Sequence, residues 1–305
     1  MQAAGAVLVV QPRHFGFNPE TASSNQFQKQ PRGNKESISK AAAAESAALI
    51  ALLADNHIQC IAAEDSTKLV TPDSVFPNNW FSTHHDGTII LYPMLSPLRR
   101  LERRPDLLES LLAKQFHIRN VIDLSGYENH GLYGEGTGSF VFDHQLKKVY
   151  ACLSPRTSPA VHDRVSKELG YEPFPFEAAS GRIPVYHTNV VMTVAENFAV
   201  ICSDCIIGPA KKNLLGILQA SRDTIPITED QMKSFAGNML QVRNRNGEAV
   251  TLLSRSAFEC LSDMQLSVIR RHSRLVTVDI PVIEATGGGS VRCMLAEIFL
   301  PRKND

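Results

Sequence analysis

A lone cysteine behind three glycines is the part of this chain best suited to nucleophilic chemistry. It lies in the run Glu284-Ala-Thr-Gly-Gly-Gly-Ser-Val-Arg-Cys293. Three consecutive residues without side chains let the main chain bend and let a small planar substrate lie against its N–H groups. A thiolate at that point can attack such a substrate head-on. A glycine loop ahead of an ordinary buried cysteine is the competing reading. A phosphate cradle is disfavoured, because no Lys-Ser/Thr pair follows the glycines. Three further segments carry residues that could complete a site: Pro72-Asp73-Ser-Val-Phe-Pro-Asn78-Asn79-Trp80-Phe81-Ser82, Gly134-Glu135-Gly136-Thr137-Gly138-Ser139 and Tyr186-His187-Thr188-Asn189.

The elements that must position these segments alternate along the whole length. Of 305 residues, 43% are hydrophobic and 20% charged, as in soluble globular proteins, and the length allows one large domain or two ordinary ones. Formal net charge is zero, so no overall basic field favours nucleic acid or anionic lipid. Six scattered cysteines in apolar, strand-like runs read as reduced thiols in a cytoplasmic protein. Cys202-Ser-Asp-Cys205 lacks a second ligand pair for zinc and reads as packing; His84-His85-Asp86 reads as a solvated hairpin end, so no metal site is expected. Ala3–Val10 is too short to span a membrane and reads as a first buried strand. Asn18–Lys35 is a polar stretch without a core pattern and reads as an exposed loop or lid.

Helical periodicity marks Ser37–Asn56 and Pro97–Gln115, and the hairpin signal Asp86-Gly87 separates strands at Ser74–Ser82 and Thr88–Pro93. Cys293–Leu300 reads as a last strand. Hairpin, helix and strand recur at about 60 residues in roughly five units. A single α/β domain over residues 1–305, with its units arranged around an axis, is the expected architecture. The four motifs fall at unit boundaries, where loops could converge.

Taken together and in this order, the four motifs resemble the guanidine-modifying (pentein) superfamily of arginine deiminases, dimethylarginine dimethylaminohydrolases and amidinotransferases. The likeness covers nearly the whole chain and is closest to the citrulline-utilisation hydrolase branch. It implies a five-fold pseudosymmetric α/β propeller with a Cys–His–Glu site, no cofactor and a small amino-acid substrate. Cys293 then matches the nucleophile, His187 the proton-moving histidine and Glu135 the acidic catalytic residue. A guanidinium or ureido carbon is a poor electrophile, so it needs a thiolate attacker and an acid for the departing amine. Asp73 matches an aspartate that holds the α-ammonium group. Arg156 matches an arginine that binds the α-carboxylate, with Arg243 and Arg292 as alternatives.

The chain departs from the arginine-processing pattern at two positions. Deiminases carry aspartates where Asn79 (or its neighbour Asn78) and Asn189 stand here. A guanidinium presents only donors and wants charged acceptors, whereas an asparagine amide offers both donors and an acceptor, as a neutral ureido group requires. A guanidinium facing two amides forgoes roughly 1.5–3 kcal/mol per charge-assisted bond. Citrulline is therefore the expected substrate, with hydrolysis to ornithine, ammonia and carbon dioxide. Arginine deiminase, arginine dihydrolase or amidinotransferase chemistry stays open, as does a non-catalytic amino-acid-binding protein. Neither a nucleic-acid nor a membrane partner is expected, and a homodimer is left open.

Overall fold

Four hairpins among the described residues are each followed by a third strand that returns parallel to the hairpin's second strand. The computed structural model describes every residue except Arg32, Thr67, Asn304 and Asp305, and all side chains among the rest but that of Leu111. Strand β1 (Ala6–Gln11) pairs parallel with β2 (Gln59–Glu64). β3 (Phe81–Thr83) and β4 (Thr88–Leu91) form a hairpin joined in parallel by β5 (Asn120–Asp123). The same order recurs for β6 (Phe140–Asp143), β7 (Lys148–Cys152) and β8 (Glu172–Phe176). A small hairpin of β9 (Ala179–Ser180) and β10 (Ile183–Pro184) intervenes. Two more sheets follow: β11 (Met192–Val194), β12 (Phe198–Ile201) and β13 (Asp223–Pro226), then β14 (Leu240–Arg243), β15 (Ala249–Ser254) and β16 (Arg274–Val278).

The fifth sheet is completed from the far end of the chain. β17 (Ala296–Glu297) lies antiparallel to β1, with Val7 opposite Glu297 and Leu8 opposite Ala296. Five three-stranded sheets of one connectivity result among the described residues, matching the number of units read from the sequence. Asp86-Gly87 turns as expected: Gly87 has φ +88° and Asp86 Oδ1 accepts from the Thr88 N–H at 2.9 Å. The hydrophobic core is divided among neighbouring sheets. Val7 and Val9 of β1, for example, meet Leu49 and Leu53 of the helix Lys35–Asp55 and Val242, Val250 and Val276 of the β14–β16 sheet. That helix is long and apolar enough to cross a membrane by length and composition alone. Its Ala42, Ser46, Leu49 and Leu53 are buried.

Four expectations are corrected. Pro97–Gln115 is split into a turn at Pro97–Arg100 and a continuous helical stretch over 105–115 with a π turn at Leu108–Leu112, because Pro105 cannot continue a preceding helix. Cys293–Leu300 is a helical turn, Val291–Met294, followed by the two-residue β17; short apolar runs do not distinguish helix from strand. The strand expected at Ser74–Ser82 starts only at Phe81, after a 3-10 turn at Pro77–Asn79. His84 is also buried rather than solvated, with its Nε2 2.8 Å from Ser82 Oγ.

One feature repeated across units builds the site. Immediately before the first strand of four sheets stands a short turn: Pro77–Asn79, Gly136–Ser139, Thr188–Val191 and Val291–Met294. The second packs against the first and the third, and the fourth packs against the first.

Candidate active site

The packed turns bring together residues far apart in the chain. A narrow pocket is lined by the polar side chains of Asp73, Asn79, Arg99, Arg156, His187 and Cys293, and its wall also includes Thr21, Asn25, Phe76, Tyr186 and Gly287–Gly289. All six of those polar side chains are buried. The Gly-x-Gly-x-Gly segment can approach the others so closely because its glycines lack side chains. A Cβ on Gly138 would stand 2.5 Å from Asn79 Nδ2 and 2.7 Å from His187 Nδ1.

Glu135 and His187 are directly joined, Nε2 to Oε2 at 2.9 Å. The second carboxylate oxygen accepts the Leu95 N–H at 3.0 Å. Arg156 Nη1 and Arg99 Nη1 stand 3.6 and 3.8 Å from Glu135 Oε2. Burial alone would push the Glu135 carboxyl up, but Arg156, the His187 bond and Arg99 outweigh it and hold it well below the usual carboxylate range. Burial pushes His187 down from 6.5 to about 4 against the pull of Glu135, so its imidazole is neutral near pH 7. With Glu135 ionised, the imidazole proton sits on Nε2 and the lone pair on Nδ1.

Cys293 is held by two amides. Asn189 Nδ2 lies 3.5 Å and Asn238 Nδ2 3.4 Å from its Sγ. Asn189 Oδ1 is buried and has no partner. Asn79 Oδ1 accepts from Arg99 Nη1 at 2.6 Å, and Asn79 Nδ2 donates to Asn78 Oδ1 at 3.1 Å.

Of the residues expected from sequence, Cys293, His187, Asn79, Asp73 and Arg156 line the pocket, and Glu135 is one bond away. Asn78 and Asn189 lie behind the lining, one bond from Asn79 and from Cys293 respectively. Asn78 is spent on Asn79 and on Thr137 Oγ1 at 3.2 Å, and Asn189 Nδ2 is spent on the sulfur while its Oδ1 has no partner. Arg156 is no solvated loop arginine: it donates to Ser24 Oγ at 2.7 Å and to the Thr21 carbonyl at 3.1 Å, and its guanidinium lies 4.8 Å over the Tyr186 ring. Arg243 and Arg292 are paired elsewhere, with Glu196 and Glu297. Asp73 Oδ2 accepts from Asn18 Nδ2 at 2.8 Å and lies 3.7 Å from Arg99 Nε. Burial pushes the Asp73 carboxyl up, partly offset by Arg99 and Asn18.

Several residues of the site were not singled out from the sequence. Arg99 forms a two-pronged pair with Glu102, at 3.0 and 2.9 Å. Burial works against its charge, but Glu102 and Asp73 outweigh that and hold the guanidinium above its usual value. The polar segment 18–35 is exposed over part of its length, as its composition implies, but three of its polar residues reach inward. Asn18, Thr21 and Asn25 are buried; Asn25 Nδ2 donates to the Gly287 carbonyl at 3.1 Å, and the Lys29 N–H to that of Ala285 at 2.7 Å. Asn238 had a signal: it stands just ahead of β14, as Asn79 does ahead of β3, Asn189 ahead of β11 and Cys293 ahead of β17.

A family model described as N,N dimethylarginine dimethylhydrolase, eukaryotic, matches residues 11–300. The chain belongs to that family. As a dimethylarginine dimethylhydrolase relative it is a C–N hydrolase, and the superfamily expected from the four motifs holds. No curated protein matches the chain in sequence. Solved structures share its mixed α/β fold. One is apo ArgZ, an arginine dihydrolase from the ornithine-ammonia cycle in Cyanobacteria, with a TM-score of 0.74 at 14% identity over 97% of this chain and 41% of that one. Another is a cysteine-to-alanine variant of AgrE in binary complex with L-arginine, with a TM-score of 0.75 at 16% identity over 98% of this chain and 41% of that one. The dimethylarginine hydrolase of Pseudomonas aeruginosa, complexed with citrulline, has a TM-score of 0.67 at 14% identity over 97% of this chain and 100% of that one. The chain thus spans about two fifths of the length of full ArgZ and AgrE.

Proposed function

We propose that this enzyme hydrolyses the ureido group of citrulline to ornithine, ammonia and carbon dioxide through a covalent intermediate on Cys293. The observation that carries the substrate is the orientation of Asn79. Arg99 takes its oxygen, so what Asn79 has left to offer the pocket is an N–H. A ureido carbonyl accepts that bond; a guanidinium, all donors, cannot. The pocket-lining position of Asp73 suits an α-ammonium group. Arg156 already spends bonds on the 18–35 segment, so it would add an α-carboxylate to existing partners.

The thiol proton passes to the neutral His187 at Nδ1, and the thiolate adds to the ureido carbon. The imidazolium, steadied by Glu135, then gives its proton to the nitrogen that leaves with ornithine, and an S-carbamoyl group stays on Cys293. Water next loses a proton to His187 and adds to the carbamoyl carbon; the thiolate departs and is reprotonated. The carbamate released decomposes to ammonia and carbon dioxide. Each step is carried by side chains of this chain, which we place in a single domain of five units about a central axis, in the cytoplasm.

A second reading keeps the chemistry and changes the substrate to arginine or a methylated arginine. The family name favours it, as does charge: Asp73, Glu102 and Glu135 surround only Arg99 and Arg156. Purified protein given citrulline and arginine separately decides between them. Ornithine from citrulline supports the ureido reading; turnover of arginine or a methylarginine with silence on citrulline overturns it.

A further inference from the structure

We infer that Asn238 is a catalytic residue, whose side-chain amide carries the negative charge of the Cys293 sulfur during attack. The inference rests on Cys293 being the nucleophile. Asn238 is fully buried, and the orientation of its amide is fixed by a neighbour that can only accept. Its Nδ2 donates to the backbone carbonyl of Asn189 at 3.0 Å; turning the amide over would set oxygen against oxygen. The other Nδ2 hydrogen meets Cys293 Sγ at 3.4 Å, and Oδ1 lies 3.7 Å from the same sulfur.

One side chain therefore serves both forms of the nucleophile. As a thiol, Cys293 donates to Oδ1. Once its proton has passed to His187, the amides of Asn238 and Asn189 both donate to the bare sulfur. Both polar side chains bonded to Sγ are amides, so no fixed negative charge is bonded to the charge that develops there. Such bonds are strongest where water is excluded, and both asparagines are buried. The turn carrying Asn238 is itself pinned. A Cβ on Gly237 would stand 2.2 Å from the Val190 carbonyl oxygen, and Thr193 Oγ1 donates to the Gly237 carbonyl at 2.7 Å.

The test is the rate at which iodoacetamide alkylates Cys293 at pH 7, read on its own peptide because the other five cysteines are also free thiols. No substrate is needed, so the result is independent of whether citrulline is turned over. Asn238→Ala should slow alkylation about tenfold, the size of one charge-assisted hydrogen bond. Asn238→Asp should slow it further, because a carboxylate opposes the sulfur's charge, and Asn238→Ser should fall between wild type and Ala. With whichever substrate is turned over, kcat should fall while KM stays within about twofold. Folded Ala and Asp variants alkylated at the wild-type rate would overturn the inference, as would a raised KM with unchanged kcat, since the amide would then only hold Asn189 in place. Should the Ala variant fail to fold, the Ser and Asp variants carry the same criteria.

Discussion

At the residue scale the account depends on three groups whose roles are set by what surrounds them. Cys293→Ala should lower turnover by about 10⁴-fold or more while citrulline still binds, measured by calorimetry beside the steady-state assay. Near-wild-type turnover in that variant would remove the nucleophile. The acid side of the pH profile follows from His187. Burial disfavours the imidazolium, so the proton-accepting neutral form persists until the pH falls to about 4. The acid limb of kcat/KM should lie well below the ordinary imidazole value of 6.5. A limb near 6.5 would mean that His187 is not the base, or that substrate access rehydrates it. Cys293, His187 and Glu135 were legible through the order of the four motifs, which resembles the guanidine-modifying superfamily, and the structure brings Cys293 and His187 into one pocket with Glu135 bonded to His187. Arg99 and Glu102 were not, because nothing local distinguishes a buried arginine pair from a solvated one three residues apart.

At the scale of elements, the short turn ahead of the first strand of four sheets is the device that delivers chemistry. Gly138→Ala tests it. The added Cβ meets Asn79 Nδ2 and His187 Nδ1, and shifting either by a fraction of an ångström should cost about 100-fold in kcat. A folded Gly138→Ala enzyme with wild-type kcat would show that this close approach is incidental. Hairpins were readable from alternation and the Asp-Gly turn. The turns were not, since apolar stretches such as Val190–Val194 fit either period and the helical part lasts four residues. The inward-facing residues of the 18–35 segment escape a sequence reading for a different reason. Asn18 and Asn25 are buried against Asp73 and Gly287, and Ser24 accepts from Arg156; these partners are distant in sequence, and composition carries no trace of them.

At the scale of the whole molecule, the number of units was legible because hairpins recur at similar spacing, but the joining of the two chain ends was not. β17 was read as a longer strand with no partner named, whereas it completes the sheet of β1 and β2. Ile298 and Leu300 beyond it are buried with Leu8 and Trp80. A chain ended after Leu295 should therefore lose its cooperative thermal transition by circular dichroism, although Cys293 is retained; an unchanged transition would show that this sheet stands without its last strand.

The measurement closest to the central claim is peptide mass spectrometry of enzyme quenched during turnover of citrulline. A carbamoyl group on the Cys293 peptide, absent in the Cys293→Ala protein, is the predicted result. An amidino adduct formed from arginine with none from citrulline, or a carbamoyl group on another cysteine, would contradict it.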